Sequence, residues 1–350
     1  MNDTQVNERQ MRLLQYLLFS PFSSRVNIAK NVGGEKVSRI TIIRDLNYLI
    51  KLGWIIQSGS GKYIKYSVVS EKELLIPVDV ERYFTKDTDS RKVKYPSFNF
   101  DLIKNLNNLF TKDEIDIFEQ GKIKLKGRFN NLDKTLLRKE LERFTIELSW
   151  KSSQIEGNTY SLLETEELIK NKKEAKGHAR DEAVMIMNHK SVFDIILQNR
   201  KSFKEINLME IRSIHTRLSK GLGIKSGIRE SGVGITGTKY IPLDNKWQIE
   251  EALSDLIKHA KRIKKVAEKA LIFLAMISYV QPFVDGNKRT SRMVSNAILL
   301  ANGYFPLSYR SVDEIEYKKA MILLYEQNNI SYLKKIFIEQ QQFAIERYFL

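Results

Sequence analysis

Not one of the 350 residues is a cysteine. That excludes disulfides and thiolate zinc sites, and a reducing cytoplasm is the natural expectation. No apolar run reaches the roughly 20 residues a membrane-spanning helix needs, so no membrane partner is expected. The first thirty residues carry Arg9, Arg12 and Arg25 in an amphipathic pattern, unlike the apolar stretch and cleavage site of a secretory leader. Acidic side chains are outnumbered: 58 Lys and Arg stand against 42 Asp and Glu, a net charge of +16. Such an excess favours nucleic acid, nucleotide or acidic protein partners, or is simply a lysine-rich solvated surface. Only four histidines occur, His178, His189, His215 and His259. Neither an internal repeat nor a low-complexity tract is found.

What is present is a globular composition, 42% hydrophobic over a length sufficient for two or three domains. The first seventy residues read as one unit. Val6 to Ser20 has helical spacing, with Met11, Leu14, Leu17 and Leu18 on one face. A short helix over Ser24 to Val32 is stopped by Gly33-Gly34. Ser38 is placed to cap a third helix carrying Ile42, Ile43, Leu46, Leu49 and Ile50, ended by Gly53. Trp54-Ile55-Ile56 and Tyr63 to Val69 then form two strands around Ser58-Gly59-Ser60-Gly61. Three helices and a hairpin are in winged-helix order. In that fold the third helix enters a DNA major groove, here offering Arg39, Thr41 and Arg44, with Lys62 and Lys65 on the wing. The unit holds ten basic residues against four acids, Asp3, Glu8, Glu35 and Asp45, a net of +6. DNA through residues 38–65 is one expected partner; protein docking or dimerisation is the other use of such a module.

Residues 71–100 read as a connecting region punctuated by Pro77 and Pro96. Residues 101–160 form a helical region and 161–350 a helical core, so the expected class is mostly α. Strand signals return only over Val233 to Leu243.

The segment with the most chemistry runs from Gln281 to Arg292, Gln-Pro-Phe-Val-Asp-Gly-Asn-Lys-Arg-Thr-Ser-Arg. Apolar helices flank it, Ala270 to Tyr279 before and Met293 to Ala301 after. It is therefore a loop running into a helix N-terminus, where free backbone N–H groups attract anions and Gly286 and Asn287 permit close approach. Arg289 and Arg292, three apart, share one helix face. Two guanidinium forks there suit a di- or triphosphate. Asp285 is a lone carboxylate beside them, a common way to hold Mg²⁺ together with phosphate oxygens and water.

This segment resembles the Fic motif, His-x-Phe-x-(Asp/Glu)-Gly-Asn-(Gly/Lys)-Arg-x-x-Arg, at every position but the first. The resemblance extends over about residues 140 to 345. It implies a Fic helical core with a small β-hairpin flap, ATP as substrate with Mg²⁺, and a nucleotide site made of Gly286, Asn287, Lys288, Arg289 and Arg292 with Thr236, Gly237 and Tyr317. Ser152-Ser153-Gln154-Ile155-Glu156-Gly157 resembles the family's inhibitory motif, which implies that Glu156 pairs with Arg292 and blocks seating of the γ-phosphate. Ser152 and Gly157 complete that motif. Ile235 to Pro242, with Thr236 and Gly237 at its turn, resembles the flap that registers a target protein by strand addition; Gly227-Ile228-Arg229 resembles the approach to it. Tyr317 falls where family members place an aromatic near the adenine.

In similar proteins the first motif residue is a histidine that accepts the proton of a target Ser, Thr or Tyr hydroxyl as it attacks the α-phosphate, so the expected activity is protein adenylylation. Here the position is Gln281, whose amide takes no proton near neutral pH. Loss of a general base costs about 10²–10⁴ in rate. An arrested enzyme, a weak or altered transferase and a fold kept for nucleotide sensing, as in a DNA-binding transcriptional regulator, all stay open. Hydrolytic removal of AMP, the family's second activity, needs the same histidine and ranks lower. His215, in a helix like a Fic core helix, is expected to be structural. The expected partners are a target protein at the 235–242 flap, DNA, and a second copy of the chain as a homodimer.

Overall fold

The computed structural model describes residues 6–32 and 37–350, so the Gly33-Gly34 stop lies outside the described residues. The chain divides into two compact units, residues 1–92 with 327–332, and residues 93–326 with 333–350. The division falls within the 71–100 segment.

The first unit runs α1 (Glu8–Phe19), β1 (Ser23–Ser24), α2 (Arg25–Val32), α3 (Arg39–Lys51), β2 (Ile55–Ser58), β3 (Lys65–Val68) and the short helices α4 (Ser70–Glu73) and α5 (Val80–Phe84). Asn7 caps α1 by accepting from the Gln10 N–H, and Ser38 caps α3 by accepting from Thr41. The hairpin β2–β3 is antiparallel, with Ile55 opposite Val68. The sheet order is β1-β3-β2; β1, only two residues long, leaves no periodic signal in the sequence. Leu13, Leu14, Leu17, Leu18, Ile42, Leu46, Leu49 and Ile55 form one core. Asp45 lies inside it, on Arg9 at 2.5 Å and Gln10 at 3.0 Å. Thr41 is half-buried, its hydroxyl on Ser38, while Arg39, Arg44, Lys62 and Lys65 are exposed.

The second unit is helical: α6 (Lys112–Asn131), α7 (Lys134–Gln154), α8 (Leu162–Asn171), α9 (Arg180–Gln198), α10 (Leu208–Leu218), α11 (Lys246–Arg262), α12 (Val266–Val280), α13 (Asn287–Ala301), α14 (Glu314–Gln327) and α15 (Ser331–Arg347). Capping boxes at Thr111, Ser161 and Asn207 start α6, α8 and α10. Its centre is the pair α12 and α13. Residues 270–280 of α12 are buried all round, which is the signature of a central helix. The Ser278 and Ser291 hydroxyls join the two at 2.9 Å. Among the described residues no helix is long and apolar enough to cross a membrane.

One local expectation needs correction. The alternating segment over residues 235–242 turns at Thr236-Gly237, but no strand ladder forms across that turn. Its one bridge is parallel, Ile241 with Ser97, and the Ile241 N–H donates to Pro96 O at 2.9 Å. Alternation signals an extended backbone, not the identity of its partner. Here an upstream segment takes the hydrogen bond.

Candidate functional site: a phosphate-type pocket at the start of α13

Two left-handed residues shape the loop between α12 and α13. Gln281 ends α12 at φ +51 and Gly286 opens α13 at φ +79. A Cβ at Gly286 would lie 3.3 Å from the Arg289 guanidinium, so glycine serves there for both conformation and space. Asn287 staples the loop: its Oδ1 accepts from Phe283 N at 2.9 Å, and its Nδ2 donates to Phe283 O at 2.8 Å and to Gln281 Oε1 at 2.9 Å. Phe283 is fully buried and stacks on His215, ring centroids 3.6 Å apart. His215 Nε2 donates to Asp285 O at 3.0 Å. Burial pushes its pKa down to about 4, so the ring is a neutral support for the loop. Arg229 holds the other side, its N–H on Pro282 O at 3.0 Å, its Nε on Gln281 O at 2.6 Å and its NH2 on Leu243 O. Sequence reasoning named Arg229 only as a neighbour of the flap.

Gln281 is occupied. Its Nε2 donates to Ser278 O at 2.6 Å and lies 3.4 Å from the Tyr325 hydroxyl. Tyr325 went unnoticed in the sequence, 44 positions away.

Arg292 is fully buried, and the end of α7 is wrapped on it. Its Nε donates to Ser152 Oγ at 2.9 Å, and its NH2 to Ser152 O at 2.8 Å and Glu156 Oε1 at 2.9 Å. Lys288 Nζ sits 3.1 Å from Glu156 Oε2. Burial alone would raise the Glu156 pKa; Arg292, Lys288 and Arg289 outweigh it and bring it to about 2. Gly157 follows at φ +97 with open space around it, so backbone conformation and not crowding favours glycine there. Ser152 and Glu156 thus both bond Arg292, the arginine that the resemblance pairs with Glu156.

Arg289 gives its NH2 to Asp285 Oδ2 at 2.9 Å, and the Asp285 side chain is 65% exposed. Arg289 Nε and NH1 and Arg292 NH1 are buried donors with no partner. Such donors cost about 1–3 kcal/mol each when unpaired, and they fit a phosphate group. Asp285 is the carboxylate within reach of a hydrated cation. Thr236 is exposed and Gly237 half-buried, 3.6 Å (from a built Cβ) to Ile322. Tyr317 is fully buried, its ring 5.4 Å below the Arg292 guanidinium and edge-on to Tyr309. It braces the arginine and shows no exposed face to a base.

This arrangement puts two buried arginines at a helix N-terminus, each with a carboxylate on it, Asp285 on Arg289 and Glu156 on Arg292. Residues 205–299 match the profile of the Fic/DOC family. The matched span includes the whole 281–292 loop but not Glu156. A probable protein adenylyltransferase of Aquifex aeolicus is 30% identical over 100 residues, 28% of this chain and 31% of that protein. The protein adenylyltransferase Fic of Culex quinquefasciatus is 30% identical over 190 residues, 50% of this chain and 36% of that protein. The chain thus matches about a third of the length of these relatives. A Fic domain containing signaling protein from Bacteroides thetaiotaomicron superposes with a TM-score of 0.53 at 20% identity, covering 67% of this chain and 96% of that one. Fic-1 from C. elegans gives 0.56 at 16% identity, covering 98% and 99%. The mostly helical architecture is that of Fic folds.

Proposed function

We propose that the pocket binds ATP by its phosphates and that the chain is a Fic-type protein adenylyltransferase under two restraints, Glu156 on Arg292 and Gln281 at the position of the base. The observation that carries this reading is the set of unpartnered buried donors on Arg289 and Arg292 beside the opening of α13. Asp285 would hold Mg²⁺, which neutralises phosphate charge when bound. A target hydroxyl would attack the α-phosphate and release pyrophosphate, and its proton then needs an acceptor. Gln281 offers only an amide, with Oε1 already accepting from Asn287. Asp285 is on Arg289, and the His215 Nε2–H is aimed at a carbonyl. A segment of the target protein would lie along the 235–242 flap.

The test is labelling of cell lysate with labelled Mg·ATP, using the chain as it stands, Gln281→His, Glu156→Gly and the double variant. Little label as it stands and strong label in the double variant are expected. A double variant that binds ATP and labels nothing sinks the transferase reading. A double variant that does not bind ATP sinks the nucleotide reading too.

A second reading concerns the first unit, which we propose is a winged helix that binds DNA through residues 38–65. The exposed Arg39, Arg44, Lys62 and Lys65 support it, while Asp45, next to Arg44 in the chain, is paired inside the core with Arg9. Duplex DNA that causes no mobility shift at low salt would remove it. A cytoplasmic location and a homodimer accompany these proposals; a monomer mass by light scattering would discard the latter.

A further inference from the structure

His189 takes no part in the chemistry above, yet it touches the same machinery. It lies in α9 with 0% exposure. Its Nδ1 is 2.8 Å from Met185 O, one turn back. A carbonyl can only accept, so Nδ1 carries the proton and Nε2 is left as an acceptor. Nε2 is 2.9 Å from Ser152 Oγ, so the Ser152 hydroxyl proton points at His189. The oxygen's lone pairs then face Arg292, whose Nε donates to it at 2.9 Å. One backbone carbonyl in α9 thus sets every donor and acceptor in a chain ending on the buried arginine. Ser153 Oγ, 3.3 Å from Nδ1, is the ring's other side-chain neighbour. Burial, together with Arg289 and Arg292, holds the His189 pKa at about 3, so the chain keeps one polarity at neutral pH.

We infer that His189 is a positioning residue for Arg292: by fixing the direction of the Ser152 hydroxyl it holds the guanidinium so that NH1 stays turned toward a phosphate, with Glu156 in place or withdrawn. The inference rests on the nucleotide reading of the pocket. It adds a role for α9, which neither the motif loop nor the inhibitory segment contains. With Glu156 withdrawn from Arg292, the Ser152 bonds from α7 would still hold the guanidinium.

The test is calorimetric titration with Mg·ATP in the Glu156→Gly background. His189→Phe keeps a ring and removes the acceptor, and should weaken binding about tenfold, the size of one directed hydrogen bond. His189→Gln, which offers a carbonyl oxygen to Ser152, should recover most of the loss. With Arg292→Lys also present, which lacks the Nε donor, His189→Phe should have no further effect on the Kd. Unchanged affinity in His189→Phe overturns the inference, and so does an equal loss in the Arg292→Lys background, which would mean packing alone. Should His189→Phe fail to fold, Ser152→Ala carries the same expectation and the same overturning result. If Glu156→Gly with His189 intact binds no Mg·ATP, the nucleotide reading fails and this inference falls with it; if it binds, only the His189 step is at stake.

Discussion

Asn287 donates its side-chain amide to Oε1 of Gln281 at 2.9 Å, joining the residue that caps the end of one central helix to the first residue of the next. Gln281 is therefore part of the loop's scaffold. Its side chain is directed inward, with Ser278 O on its nitrogen.

Replacing Gln281 by histidine in the Glu156→Gly background is expected to raise AMP transfer by about 10²-fold or more. Only the neutral imidazole accepts a proton, so the new activity should climb with pH through about 6.5. The glutamine form should lack that limb. Initial rates between pH 5.5 and 8.5 check this, and parallel profiles would place the proton elsewhere.

Glu156→Gln should lower the melting temperature and make Mg·ATP a stronger stabiliser. Arg292 is fully buried, and removing the charge opposite a buried cation costs about 3–5 kcal/mol. Phosphate would return that charge. The folded-state pKa of Glu156, about 2, lies below its ordinary 4.5. The pair's contribution is therefore complete above about pH 4.5 and is lost only as pH falls toward 2. Mild acid should leave the restraint intact, and thermal shifts with and without Mg·ATP from pH 5 to 8 measure both effects.

Phe283→Ala should destabilise the second unit by about 3–5 kcal/mol. Phe283 fills the space under the loop and stacks on His215. Phe283→Leu keeps most of the volume and should lose less. Urea unfolding of both variants decides; equal losses would assign the effect to stacking over packing.

Arg39→Ala with Arg44→Ala should weaken DNA binding at every sequence tested and reduce the slope of log K against log salt by about 2, one for each phosphate contact. Anisotropy titrations over a salt series would show it. An unchanged slope would turn the second reading toward protein docking.

The sequence was most informative where one residue type has one physical use. Ser38 as a cap, the glycine opening α13 and the arginines three apart all stand where their chemistry requires. The contact between Glu156 and Arg292 was legible only through resemblance, since 136 positions separate them. His189 and Tyr325 were illegible: a buried polar side chain on an apolar helix face looks the same whatever it touches. Tyr317 was named for an aromatic near the base, while its ring lies under Arg292. In the 235–242 segment the extended backbone was legible and its partner, Pro96-Ser97, was not.

The left-handed backbone at Gln281, φ +51, has a consequence for ancestry and engineering alike. That conformation rejects β-branched side chains and suits histidine well. Glutamine and histidine codons differ only at the third base, so the two side chains are neighbours at this position by a single nucleotide change, and the backbone between them need not move.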